Sequence, residues 1–166
     1  MTITWEHLAE HLRREVQAYG GLLLLFEEQQ ACVFRRDAAC LLRLIDAIAD
    51  ATRAAERARR EREQCVSAFA VARGRNAEAS LRSLLPCIEG EARPLLEALI
   101  AEVNHLIRRV RRVARQDHLL LSRLVELQQD LLRQFYPGAF TQTYSAQGRV
   151  ALATAAAPPP ARQTAG

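Results

Sequence analysis

The chain has 166 residues and a formal charge of +4, from 23 basic residues, every one of them Arg, set against 19 acidic ones. Aromatics are 5% and Gly and Pro number only 7 and 6, while Ala, Leu, Arg, Glu and Gln dominate, a composition that excludes a strand-rich fold with frequent turns. Charges of mixed sign at 25% are what long solvated helices carry, so the mild basic excess by itself requires no nucleic acid.

The first element opens at Thr2 or Thr4, either of which can cap a helix, and carries apolar residues at Trp5, Leu8, Leu12, Val16, Tyr19, Leu23, Phe26 and Val33. Steps of 3 and 4 dominate that series and draw one stripe down a helix. Gly20 and Gly21 interrupt the helix formers, and each costs about 1 kcal/mol there, so local bending or close packing is expected. Arg35, Arg36 and Asp37 break the pattern, and Asp37 is the expected N-cap of a second helix reaching about Ala72. Its stripe runs through Leu41, Leu44, Ile45, Ile48, Thr52, Ala55, Val66 and Phe69, with Arg59 and Arg62 on the inward side. The expectation for those two is an overhang, or long arginine stems with solvated heads.

Gly74 is the expected C-cap of the second helix, followed by a short amphipathic piece over residues 77–85 that Pro86 stops. It is expected to cross the end of a helical pair. The last helix is expected from near Glu91, with Pro94 in its first turn, to about Phe135. Leu99, Val103, Leu106, Val110, Val113, Asp117, Leu120, Leu124, Leu127 and Leu131 repeat at 4 and 3 almost throughout, the mark of a coiled-coil seam. A helix of that length spans on the order of 65 Å and must lie against another. The fold class expected is therefore all-α: an elongated antiparallel bundle or coiled coil of three long helices plus a short crossing helix. Residues 1–136 form the bundle domain in this reading, and 137–166, ending in an Ala/Pro/Thr-rich stretch, a flexible, disordered tail.

Chemistry-bearing constellations are few. His7 and His11 stand one helical turn apart beside Glu6 and Glu10, but not in the order that sets a carboxylate beside a metal-bound water, and no third ligand accompanies them; solvated surface histidines are preferred. Cys32, Cys40, Cys65 and Cys87 are scattered without a CxxC pair and read as free thiols, which suits a reducing cytoplasm. No basic stretch followed by an apolar one opens the sequence, and the longest apolar run, residues 22–26, is far below the roughly 20 residues of a membrane span. Neither a secretory signal nor stable membrane insertion is expected. No phosphate loop or nucleophile elbow occurs, so no catalytic residue and no cofactor is assigned.

Two arginine clusters remain, at residues 57–62 and 108–115. Val110 and Val113 continue the apolar seam through the second, which leaves its arginines on the flanks and back of a packed helix, with no aromatic interleaved for base stacking. A solvated or acid-pairing face is preferred over nucleic acid. Asp117 falls in the seam itself, where it either sets the register or marks where the seam opens to solvent. Just beyond it, Leu119, Leu121, Val125 and Leu132 widen the stripe formed by Leu120, Leu124, Leu127, Leu131 and Phe135 past what one partner helix can cover. The surplus invites a further helix from the chain, a second copy or another protein.

From here on the sequence resembles a known family. Asp117-His118-Leu119-Leu120, then Leu127 and Leu131, Phe135-Tyr136-Pro137, and Thr143-Tyr144-Ser145-Ala146-Gln147-Gly148 follow one another in the order of a pattern N-x-x-LL, L-x-x-L-x-P and T-x-Y-G-x-x-G. The Trp5, Leu8, Leu12 opening and the piece from Leu81 to Pro86 also match, and the chain resembles the FlgN-type flagellar export chaperones over most of its length. That resemblance implies a cytoplasmic, non-enzymatic chaperone that binds the C-terminal helical regions of the hook–filament junction proteins, FlgK and FlgL, and delivers them to the export gate. It implies a client-binding face at Leu120, Leu124, Leu127, Leu131 and Phe135, and a contact of Tyr144 with the export-gate protein. The rival readings are a coiled-coil adaptor or homo-oligomer that uses the widened stripe for self-association, and nucleic-acid binding through residues 108–115.

Overall fold

The protein is described here by a computed structural model covering residues 3–88 and 90–135, with the backbone of residues 140–144 and 150–154. Four α-helices are present among the described residues: α1 (Trp5–Arg35), α2 (Ala38–Ala72), the short α3 (Leu81–Leu84) and α4 (Arg93–Phe135). The chain divides into two compact units, Met1–Leu120 and Leu121–Gly166.

Local chemistry sets the helix ends in the first unit. Thr4 caps α1 in a reciprocal arrangement with His7, whose Nδ1 lies 3.3 Å from the Thr4 backbone N–H and 3.0 Å from its hydroxyl. One of the two N-terminal histidines therefore serves the helix start. Arg36 takes a left-handed conformation (φ 56°) after α1, so that the N–H groups of Arg36 and Asp37 reach back to the carbonyls of Val33 and Cys32, each at 3.0 Å. The Asp37 carboxylate then accepts the Cys40 backbone N–H at 2.9 Å and starts α2, as its position in the sequence suggested. At the other end Gly74, with φ 67°, lets the chain turn out of α2.

Helix α1 passes through Gly20 and Gly21 unbroken, and a Cβ built on either meets nothing within 4 Å, so close packing is not why glycine stands there. The amphipathic piece is shorter than residues 77–85, because Ser80 accepts the Ser83 N–H and starts α3 late, while the Asn76 side chain holds residues before it in a turn. Pro86 does not stop the piece but sits inside a 3-10 turn, Leu85–Cys87, where its missing N–H is no loss. Cys32 and Cys40 are not free thiols: their Cα atoms lie 6.0 Å apart across the α1–α2 turn and their sulfurs are bonded. Cys65 and Cys87 are free.

Three apolar clusters hold the first unit together. Leu8 and Leu12 of α1, Val66 and Phe69 of α2, and Leu84, Leu85 and Ile88 pack with Leu96 and Val103 of α4. Farther along, Leu22, Leu23 and Ala55 meet Leu106 and Val110. Cys32, Cys40 and Leu44 close the turn end. These pairings make α1 and α2 antiparallel and send α4 in the same direction as α1. Burial at about 25 cal/mol per Å² of apolar surface is the main force assembling them.

Inside this apolar interface lies one ion pair. The fully buried Glu15 of α1 accepts from Arg62 of α2 at 2.6 Å, and Arg62 is itself mostly buried. Arg62 was expected to overhang or to solvate its head; it turns inward instead, because an unpaired carboxylate at Glu15 would be far costlier than a bonded pair.

In the second unit, backbone strands β1 (Phe140–Tyr144) and β2 (Val150–Thr154) pair antiparallel, with Phe140 opposite Thr154 and Tyr144 opposite Val150. The all-α, tail-like expectation omitted this pairing. Phe, Thr, Tyr and Val favour the extended backbone, a preference that the lack of helical periodicity had masked.

Candidate functional site

Helix α4 carries one periodic apolar series along its length, and burial follows it only part of the way. Leu96, Val103, Leu106, Val110 and Asp117 are its buried members, all within the first unit. Leu120, the last residue of that unit, is half-buried.

Within the second unit the same periodicity continues without burial. Leu124 is half-buried, while Leu127, Leu131 and Phe135 are 61%, 53% and 75% exposed. Steps of 3, 4 and 4 from Leu124 set these four side chains in one row along a helix face. Val125 and Leu132, also exposed, form a second row about 100° around the helix from the first. Between and around them Arg123, Glu126, Gln128, Gln129, Asp130 and Arg133 are polar. Such a strip is able to bury the apolar face of another helix, with the polar flank available for orientation.

Of the residues singled out from sequence, α4 therefore brings Leu124, Leu127, Leu131 and Phe135 together as one face. Leu120 contributes partly to its own unit. For Tyr144 the structure describes the backbone alone, at the last position of β1. Tyr136, Pro137 and the run from Ser145 to Arg149 lie outside the described residues.

Asp117 is the last buried residue on α4, only 4% exposed, and neither carboxylate oxygen has a hydrogen-bond partner among the described residues. Burial pushes its carboxyl pKa up; the nearby Gln30 side chain opposes that shift without meeting hydrogen-bond geometry. The sequence had left two alternatives for this residue, and the seam does not open to solvent at its position.

His11, the second of the paired histidines, has a buried Nδ1 without a partner among the described residues, beside Cys65 and Gln64. Among the described residues no group of three or more His, Cys, Asp or Glu side chains is arranged to hold a metal ion. Among them, too, no helix is long and apolar enough to cross a membrane.

The family model described as FlgN protein matches residues 1–151, which takes in all four helices, the exposed strip and the strand segment containing Tyr144. The chain belongs to the FlgN family. FlgN proteins are flagellar export chaperones, and the exposed apolar strip on α4 falls inside the FlgN match. No curated protein and no solved structure matches the chain.

In the first unit two features escaped the sequence reading. The Cys32–Cys40 bond had a signal, since each cysteine stands four residues from Arg36, where the helices turn. The Glu15–Arg62 pair had one as well: an acid and a base, each on the inward face of neighbouring antiparallel helices.

Proposed function

We propose that this FlgN protein is a cytoplasmic chaperone that binds the C-terminal helical regions of the hook–filament junction proteins, FlgK and FlgL, and hands them to the export gate. The client helix lies along Leu120, Leu124, Leu127, Leu131 and Phe135, within an antiparallel helical scaffold. Tyr144 contacts the export-gate protein. The observation that carries the reading is the exposure of a regularly spaced apolar row on α4. A client helix covering that row removes apolar surface from water at about 25 cal/mol per Å², and it hides client surface that would otherwise self-associate. Binding of this kind needs neither nucleotide nor metal.

Co-purification tests the reading. The tagged full chain, co-expressed with C-terminal fragments of the junction proteins, is expected to retain at least one of them. Leu124→Asp combined with Leu131→Asp is expected to abolish retention with helicity by circular dichroism unchanged; full retention by that double variant contradicts the proposed face. Light scattering separates client binding from self-association. A mixed complex forming at the expense of any self-associated species supports the chaperone reading, and a homo-oligomer indifferent to client supports the adaptor reading.

A further inference from the structure

The two arginine-rich stretches differ in what answers their charge. In the stretch over residues 57–62, Arg59 pairs with Glu63 at 2.9 Å, Arg60 with Glu56 at 3.9 Å and Arg62 with Glu15 at 2.6 Å. The stretch over residues 108–115 makes a single ion pair among the described residues, between Arg109 and Glu27 at 3.0 Å. Arg108, Arg111, Arg112 and Arg115 have no carboxylate partner there, and all four are exposed.

Their spacing is i, i+3, i+4 and i+7, which sets the four guanidinium groups on one helix face, opposite the buried Val103, Leu106 and Val110. His105 extends that face by one turn, and with Arg109 these residues line a surface groove. No acidic residue occurs on α4 between Glu102 and Asp117, so the i,i+3 and i,i+4 neighbours of these arginines are other arginines or neutral residues. Like charges at those spacings destabilise a helix; the Arg115 Nε–H donates to the Arg111 carbonyl at 3.1 Å, but no carboxylate among the described residues pairs with any of the four charges. Among the described residues the row is thus a set of like-charged, forked donors without an acidic complement.

We propose that the face formed by Arg108, Arg111, Arg112 and Arg115 docks an acidic peptide segment of a partner protein. The row spans about 10 Å, which three or four residues of extended peptide cover, and carboxylates match guanidinium forks in paired hydrogen bonds. Nucleic acid fits the face less well. No aromatic stands in the row to stack a base, and on the same helix Glu102 and Glu97 turn the charge negative about two and about three turns before Arg108, beneath any longer polyanion. This surface is separate from the apolar strip, and the proposal does not rest on client binding there.

Fluorescence anisotropy of a labelled octaglutamate peptide against the full chain tests it, with an uncharged Gly/Ser octapeptide and a 12-nucleotide single-stranded DNA as comparisons. Octaglutamate is expected to bind more tightly than either, and more weakly as salt rises. Arg112→Gln with Arg115→Gln is expected to weaken it about tenfold or more, two charge-assisted contacts being lost, whereas Arg57→Gln with Arg60→Gln leaves it within about twofold. Circular dichroism checks that both pairs of variants stay folded. DNA binding tighter than octaglutamate, binding unchanged by the first pair of substitutions, or no binding of octaglutamate at all overturns the proposal.

Discussion

Helix α4 contains two stretches of the same apolar periodicity with opposite fates. From Leu96 to Val110 the series is covered by α1, α2 and the short elements around Leu84, whereas Leu127, Leu131 and Phe135 carry the series on to the helix end with most of their surface exposed. Spacing identifies the sticky face of a helix equally well in both places. It cannot say whether the cover comes from the same chain, because that depends on which residues of other elements come within reach.

The contrast can be broken most strongly by truncating one leucine in each stretch. Leu96 is completely buried, and Leu96→Ala is expected to cost about 3 kcal/mol, a fall in Tm of roughly 6–12 °C by circular dichroism. Leu127→Ala, at a site with no cover to lose, is expected to stay within about 0.5 kcal/mol of the parent. Equal losses would mean that the two stretches are packed alike.

A smaller effect is expected at the last buried position. The Asp117 pKa is raised in the folded chain, so the residue's contribution to stability is complete below the unfolded value and is lost as pH rises through the folded one. At neutral pH the carboxylate therefore works against folding. Asp117→Asn is expected to raise Tm by a few degrees at pH 7, a gain that shrinks as the pH is lowered toward the unfolded carboxyl pKa; a Tm below that of the parent at pH 7 would show that the charge is compensated.

Much of the first unit was legible in sequence for the same reason that its interior is apolar. The 3- and 4-residue steps through Leu8, Leu12 and Leu23, the N-cap at Asp37 and the glycine after α2 each report a local preference that packing reinforces. Features joining residues distant in the chain were harder to read. Glu15 and Arg62 look like two ordinary charges until α1 and α2 are laid antiparallel, and Cys32 and Cys40 look unrelated until the turn at Arg36 folds them together. The apolar strip was legible as surplus, since Val125 and Leu132 add a second row that one partner helix cannot cover. What would cover it was not, because a complementary surface on another molecule would leave no pattern in this sequence beyond that surplus.

Amide hydrogen exchange across α4, with and without the junction-protein C-terminal fragment, distinguishes a client-covered strip from one left bare. Residues 124–135 are expected to exchange faster than residues 96–110 in the free chain and to become at least about tenfold more protected when the fragment is added, with little change in the buried stretch. Binding of the fragment with protection confined to other elements, and none gained over residues 124–135, would contradict it.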